Sequence, residues 1–97
     1  MKDKYDISKF VNVQTEQNVL SGIIERVKLR RKEMKLSQRM LAQKSGVSYA
    51  SIRRFESTGE ISFASLMKIA SVLNSLDDFN KLFINEIVVD LKDYKWN

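Results

Sequence analysis

Residues Gln38 to Glu56 read QRMLAQKSGVSYASIRRFE. Two short helical patterns meet there at Gly46, with Ala42 four residues before the glycine and Ile52 six residues after it. The spacing has a steric logic. Two helices that cross at about 90–120° approach closely at their corner. Ala42 is small where the second helix passes over the first, and Gly46 can take the left-handed conformation that a β-carbon penalises. Leu41, Val47, Ile52 and Phe55 fall on the sides that turn into a core. Ser37 and Ser48 precede the two helices as N-caps, their hydroxyls placed to accept from otherwise unpaired backbone N–H groups.

This is the spacing of a helix-turn-helix, whose second helix lies in the DNA major groove with its N-terminal part at the base edges. That part offers Ser48, Tyr49, Ala50, Arg53 and Arg54 as candidate base-reading residues. Either arginine can fork onto guanine O6 and N7 or bond a phosphate. Tyr49 can donate to a phosphate or pack on a thymine methyl, and the small Ala50 lets the backbone approach. Ser51 is a candidate phosphate contact, as are Arg39 and Lys44 on the preceding helix. Helix N-termini favour phosphate oxygens, and such contacts position a protein without carrying sequence information.

The words VKLRRKEMKLSQ (27–38), LAQKSGVS (41–48), IRRFESTGEIS (52–62) and SLMKIASVLN (65–74) together resemble the phage repressor and Cro-type helix-turn-helix family. The likeness runs from about Ile23 to Phe83, roughly two thirds of the chain. It implies an all-α fold, a lambda-repressor-like bundle of five helices in which the second and third form the DNA-reading unit. It further implies that Gln38 caps the second helix and bonds a backbone phosphate. The resemblance also pairs Arg31 of the first helix with Glu56 of the third as an internal ion pair, a structural role. The longer word RRFESTGEISFASLMKIASVLNSLDDF (53–79) resembles the HipB-type antitoxins, which would add a toxin protein as a partner.

Charge agrees with that picture. The net charge is +5, and its distribution is uneven. Residues 1–22 carry three bases and three acids, residues 23–60 ten bases and four acids, and residues 61–97 four bases and five acids. The excess therefore falls on the helix-turn-helix and the helix before it, as expected for a surface that faces phosphates. A chain of 97 residues supports one small domain. It has no Cys and no His, so thiolate chemistry, disulfides, and the commonest general base and metal ligand are missing. There is no phosphate-binding glycine loop, no defensible carboxylate pair and no metal spacing. Asp77 and Asp78 are adjacent, so on a helix they point apart and read as first-turn acids. No enzyme, metal or cofactor is expected. No run of 18 apolar residues is present and the mixed-charge start MKDKYDISKF is not a secretory signal, so a cytoplasmic protein without membrane contact is expected.

The chain divides into an N-terminal leader (1–14), a helix-turn-helix domain (15–83) and a short apolar C-terminal tail (84–97). In the leader, Phe10, Val11 and Val13 suit a short strand or packing on the bundle. A first helix is predicted from Thr15 to about Met34, with Leu20, Ile23, Ile24, Val27 and Met34 on its buried face. A fourth helix is predicted from Phe63 to Leu73, burying Leu66, Ile69, Ala70 and Leu73. A short fifth starts near Asp77, capped by Ser75 or Asp77, with Phe79, Leu82 and Phe83 as its apolar face. The tail reads either as a strand or as a helix, and it is too apolar to be left uncovered. It either packs on its own bundle or makes a homodimer.

The expectation from sequence is therefore a sequence-specific regulator of transcription that binds double-stranded DNA, a dimeric repressor of its own or a nearby operon. Two rivals remain. One is an antitoxin that binds both operator DNA and a toxin. The other is a protein-interaction adaptor that keeps the fold without DNA binding, which two arginines on the recognition helix speak against.

Overall fold

A computed structural model describes residues 14–87. Among the described residues there are five helices and no strand: α1 Glu16–Glu33, α2 Gln38–Ser45, α3 Tyr49–Thr58, α4 Phe63–Val72 and the single turn α5 Leu76–Phe79. The leader readings at Phe10, Val11 and Val13 lie outside the described residues. So does the tail beyond Ile87. Residues 84–87 are in neither helix nor strand.

Four helix starts follow one rule. Thr15, Ser37, Ser48 and Ser62 have extended backbones, and each hydroxyl accepts the N–H three residues on, the N-cap geometry that satisfies an otherwise orphaned donor. The helix ends use two devices. Gly46 and Gly59 close α2 and α3 in the left-handed region, at φ 78 and 86. The ends of α1 and α4 are Schellman turns made without glycine. Lys35 and Asn74 take φ 59 and 56, and the next residue reaches back, Leu36 N–H to the Arg31 carbonyl and Ser75 N–H to the Ala70 carbonyl.

α2 packs on α3 and α4, α1 on α3, and α5 on α4. The core forms at their junction from Leu36, Leu41, Val47, Ile52, Ile69 and Leu73, with Val27, Ala42, Ile61 and Val72 around it. Phe55, Ile24 and Ala70 are also buried. Leu41, Val47, Ile52 and Phe55, the apolar positions of the corner motif, are thus all inside.

Three details differ from the periodicity. Met34 is exposed. α1 stops at Glu33, and the Schellman turn reverses the chain so that Leu36 fills the core in its place. Leu66 is only half-buried, as are Leu20, Ile23 and Val27 of α1, where Ile24 is the buried apolar residue. The expected apolar face of the fifth helix is not assembled: α5 begins at Leu76, ends at Phe79, and leaves Leu82 and Phe83 exposed. Phe83 has φ 58, so the chain has left the helical path where that face would form. Ser75 precedes α5 without capping it, because its hydroxyl donates to the Leu73 carbonyl and accepts from Arg30.

Candidate nucleic-acid interface

Glu56, in the last half of α3, is the anchor beneath the outer surface of that helix. Arg31 of α1 grips it with two parallel bonds, Nε to Oε2 at 2.8 Å and Nη2 to Oε1 at 3.0 Å. The third arm of the same guanidinium donates to the Leu36 carbonyl at 2.8 Å. Gln38, the first residue of α2, donates through Nε2 to Glu56 Oε1 at 2.8 Å. One carboxylate thus joins α1, α2 and α3. The Arg31 and Glu56 side chains are only 10% and 4% exposed, yet among the described residues every buried polar side-chain atom has a partner, which makes a buried pair tolerable. Burial pushes the Glu56 carboxyl up, but the bonds from Arg31 and Gln38 and the charges of Arg31 and Lys28 outweigh it. The group is held below its ordinary value.

Over this anchor lies an open groove lined by Lys28, Arg31, Gln38, Ala50, Arg53, Arg54, Glu56 and Ser57. Ala50, Arg53, Arg54 and Ser57 have the i, i+3, i+4, i+7 spacing of one helix face. Arg53 and Arg54 are exposed, and so is Ala50. Lys28 comes from α1, and it is not among the site residues expected from the sequence. Its signal was its place three residues before Arg31, on the same side of the helix.

Beside the groove, Tyr49 opens α3 with two guanidiniums near its ring. The Arg39 guanidinium carbon lies 4.0 Å from the ring centroid and that of Arg53 5.5 Å, within cation–π range. Ser48 and Ser51 are coupled to each other, the Ser48 hydroxyl accepting the Ser51 N–H at 3.0 Å and donating to the Ser51 hydroxyl at 2.8 Å. The Ser48 side chain therefore serves the helix cap. The Gln38 amide nitrogen is committed to Glu56. Arg54 is paired with Glu60 just past the helix end, a partner that sequence reasoning did not find. Lys44 stands exposed in the last turn of α2, at the far end of that helix from Gln38 and Arg39, and is not part of the groove.

Among the described residues no group of three His, Cys, Asp or Glu side chains could hold a metal, and no helix is long and apolar enough to cross a membrane. The arrangement is a positively charged, shallow surface made by one helix and its flanks. Its exposed cations are chemically suited to an anionic partner.

A family model described as helix-turn-helix matches residues 27–79, more than half of the chain. No curated protein and no solved structure matches the chain.

Proposed function

Since the chain belongs to the helix-turn-helix family of phage repressor and Cro type, a DNA-binding regulator, we propose that it is a sequence-specific dimeric repressor. In this reading α3 enters the major groove. Arg53 and Arg54, with Tyr49 and Ala50, approach base edges from its outer face. Arg39, Lys44, Ser51 and the α2 N-terminus around Gln38 meet phosphates, and Lys28 joins them from α1. The observation that carries the reading is the groove face itself. Four basic side chains, Lys28, Arg31, Arg53 and Arg54, line it, and its one carboxylate, Glu56, is spent on Arg31 and Gln38. A dimer would set two such helices about 34–36 Å apart on a two-fold site and block transcription by covering a promoter.

The test is selection from a pool of random duplexes, with sequencing of the retained fraction at two salt concentrations. A recovered two-fold motif that persists at the higher salt is the expected result. Binding that vanishes as salt rises, with no enriched motif, leaves only counterion release and overturns the reading.

One observation supports the antitoxin as a second reading. Leu82, Phe83, Ile84 and Ile87 follow the bundle as exposed apolar residues, surface that either a second copy or a toxin protein would cover. Sedimentation of the purified chain separates the two, because self-association accounts for the surface without a toxin.

A further inference from the structure

We propose that Glu60 is a positioning residue that sets the base preference of α3 by holding Arg54, a step that rests on the DNA-binding reading above. Arg54 donates to Glu60 Oε1 through both Nε, at 2.7 Å, and Nη2. The turn that brings Glu60 there is fixed by the backbone. Gly59 lies in the left-handed region with its N–H on the Phe55 carbonyl at 2.8 Å. The Thr58 hydroxyl donates to the Arg54 carbonyl at 2.7 Å and accepts the Glu60 N–H at 3.1 Å. One hydroxyl thus ties the main chain of Glu60 to the main chain of Arg54.

The pair contributes little to the fold, because its side chains are 67% and 63% exposed and exposed ion pairs are weak. Its consequence is orientation. With the Nε–Nη2 edge of the guanidinium taken, the edge left for a partner is Nη1–Nη2. That edge carries two parallel N–H donors, the spacing that matches O6 and N7 of guanine. A held arginine also loses less rotamer freedom on binding than a loose one. The carboxylate acts in the opposite sense on the phosphates, which it repels. That repulsion falls on every duplex alike, so it lowers affinity without changing preference, and the preference comes from the held guanidinium edge.

The test compares the full-length chain, Glu60→Gln, Arg54→Ala and the double variant, each by selection from a random duplex pool and by titration of one random-sequence 20-base-pair duplex. The wild type is expected to enrich a motif with a guanine position that Arg54→Ala loses. Glu60→Gln should weaken that guanine preference about fivefold, the equivalent of about 1 kcal/mol. It should also bind the random duplex about two- to threefold more tightly. In the Arg54→Ala background Glu60→Gln should leave base preference unchanged. A Glu60→Gln variant with wild-type preferences overturns the proposal. So does one that shifts preference equally without Arg54, since Glu60 would then read a base itself. A wild-type chain that enriches nothing overturns the DNA-binding reading along with it, and that result is distinct from a failure confined to Glu60.

Discussion

The guanidinium of Arg39 lies 4.0 Å above the ring of Tyr49. Arg39 is in the first turn of α2 and Tyr49 is the first residue of α3, so the stack joins the N-terminal ends of the two helices on the proposed DNA face. Arg53, one turn along from Tyr49, faces the same ring at 5.5 Å. The ring is then a platform that aims two cations, and its hydroxyl is incidental to that role. Tyr49→Phe should bind the selected duplex within about twofold of wild type. Tyr49→Ala should bind it about 1–3 kcal/mol more weakly, because Arg39 and Arg53 lose the ring that aims them and each must then be ordered on binding at about 0.5–1.5 kcal/mol. Fluorescence anisotropy measures both. Equal losses in the two variants would make the hydroxyl, not the ring, the working group.

Glu56 links the fold to pH. Its carboxyl is depressed below the ordinary value of 4.5 in the folded chain. The unfolded chain therefore takes up a proton first as pH falls, and the folded chain loses stability with it. The contribution is fully present above about pH 5 and fades as pH falls below 4.5. Urea denaturation at a series of pH values should show that loss in the wild type. Glu56→Gln should lack that part of the slope. At pH 7 it should be about 3–5 kcal/mol less stable, because Arg31 is left buried without its charge partner. A Glu56→Gln chain with an unaltered acid limb would remove Glu56 as the titrating group.

The two helix-ending glycines should differ in what they tolerate. Both have positive φ, so alanine is strained at either, by about 1–2 kcal/mol. At Gly46 an added β-carbon meets nothing within 4 Å. At Gly59 it would stand 2.8 Å from Leu20 Cδ2 and 3.1 Å from Ile24 Cδ1. Those are side chains of α1 packed in place. Gly59→Ala should therefore cost about 1–3 kcal/mol more than Gly46→Ala, the added cost of overpacking. The converse change is Lys35→Gly, at a left-handed position held by a side chain. It should gain about 1 kcal/mol. Thermal and urea melts of the three variants rank them. Equal costs at the two glycines would mean that α1 moves away from α3 freely.

Much of this was legible in the sequence because its signals are local. The corner residues Ala42, Gly46, Val47 and Ile52 fall within eleven consecutive positions, and the serine caps precede their helices directly. Leu36 was not legible, since its burial depends on a Schellman turn at Lys35, a residue type that does not announce a left-handed bend. The roles of Arg30 and Glu60 were not legible either. Arg30 looks like solvated charge, yet it reaches the Leu73 carbonyl at 3.2 Å and ties α1 to the end of α4. Glu60 meets Arg54 only because the Thr58–Gly59 turn folds back. In the candidate site, position along the helix identified the outward residues of α3, while the partner of each side chain depended on tertiary geometry. The apolar face expected at Phe79, Leu82 and Phe83 failed for a related reason: periodicity assumes that the helix continues, and α5 does not.

The exposed apolar end of the bundle gives the remaining prediction. Phe83 is fully exposed, and Ile84 and Ile87 are 63% and 86% exposed. Large apolar side chains left in water forgo about 1.5–3 kcal/mol each relative to burial. A second copy that covered them would recover part of that, and the proposed two-fold DNA site requires such a copy. Two consequences follow for the isolated protein. Its thermal midpoint should rise with protein concentration, because only the folded chain associates. Phe83→Ser should abolish that rise and shift sedimentation towards the monomer, with little effect on a dilute sample, where the side chain already lies in solvent. Removing residues 86–97 should have the same direction of effect. A midpoint independent of concentration, together with monomer mass in both the wild type and Phe83→Ser, would leave the surface to a different partner and favour the toxin-binding reading over the self-paired repressor.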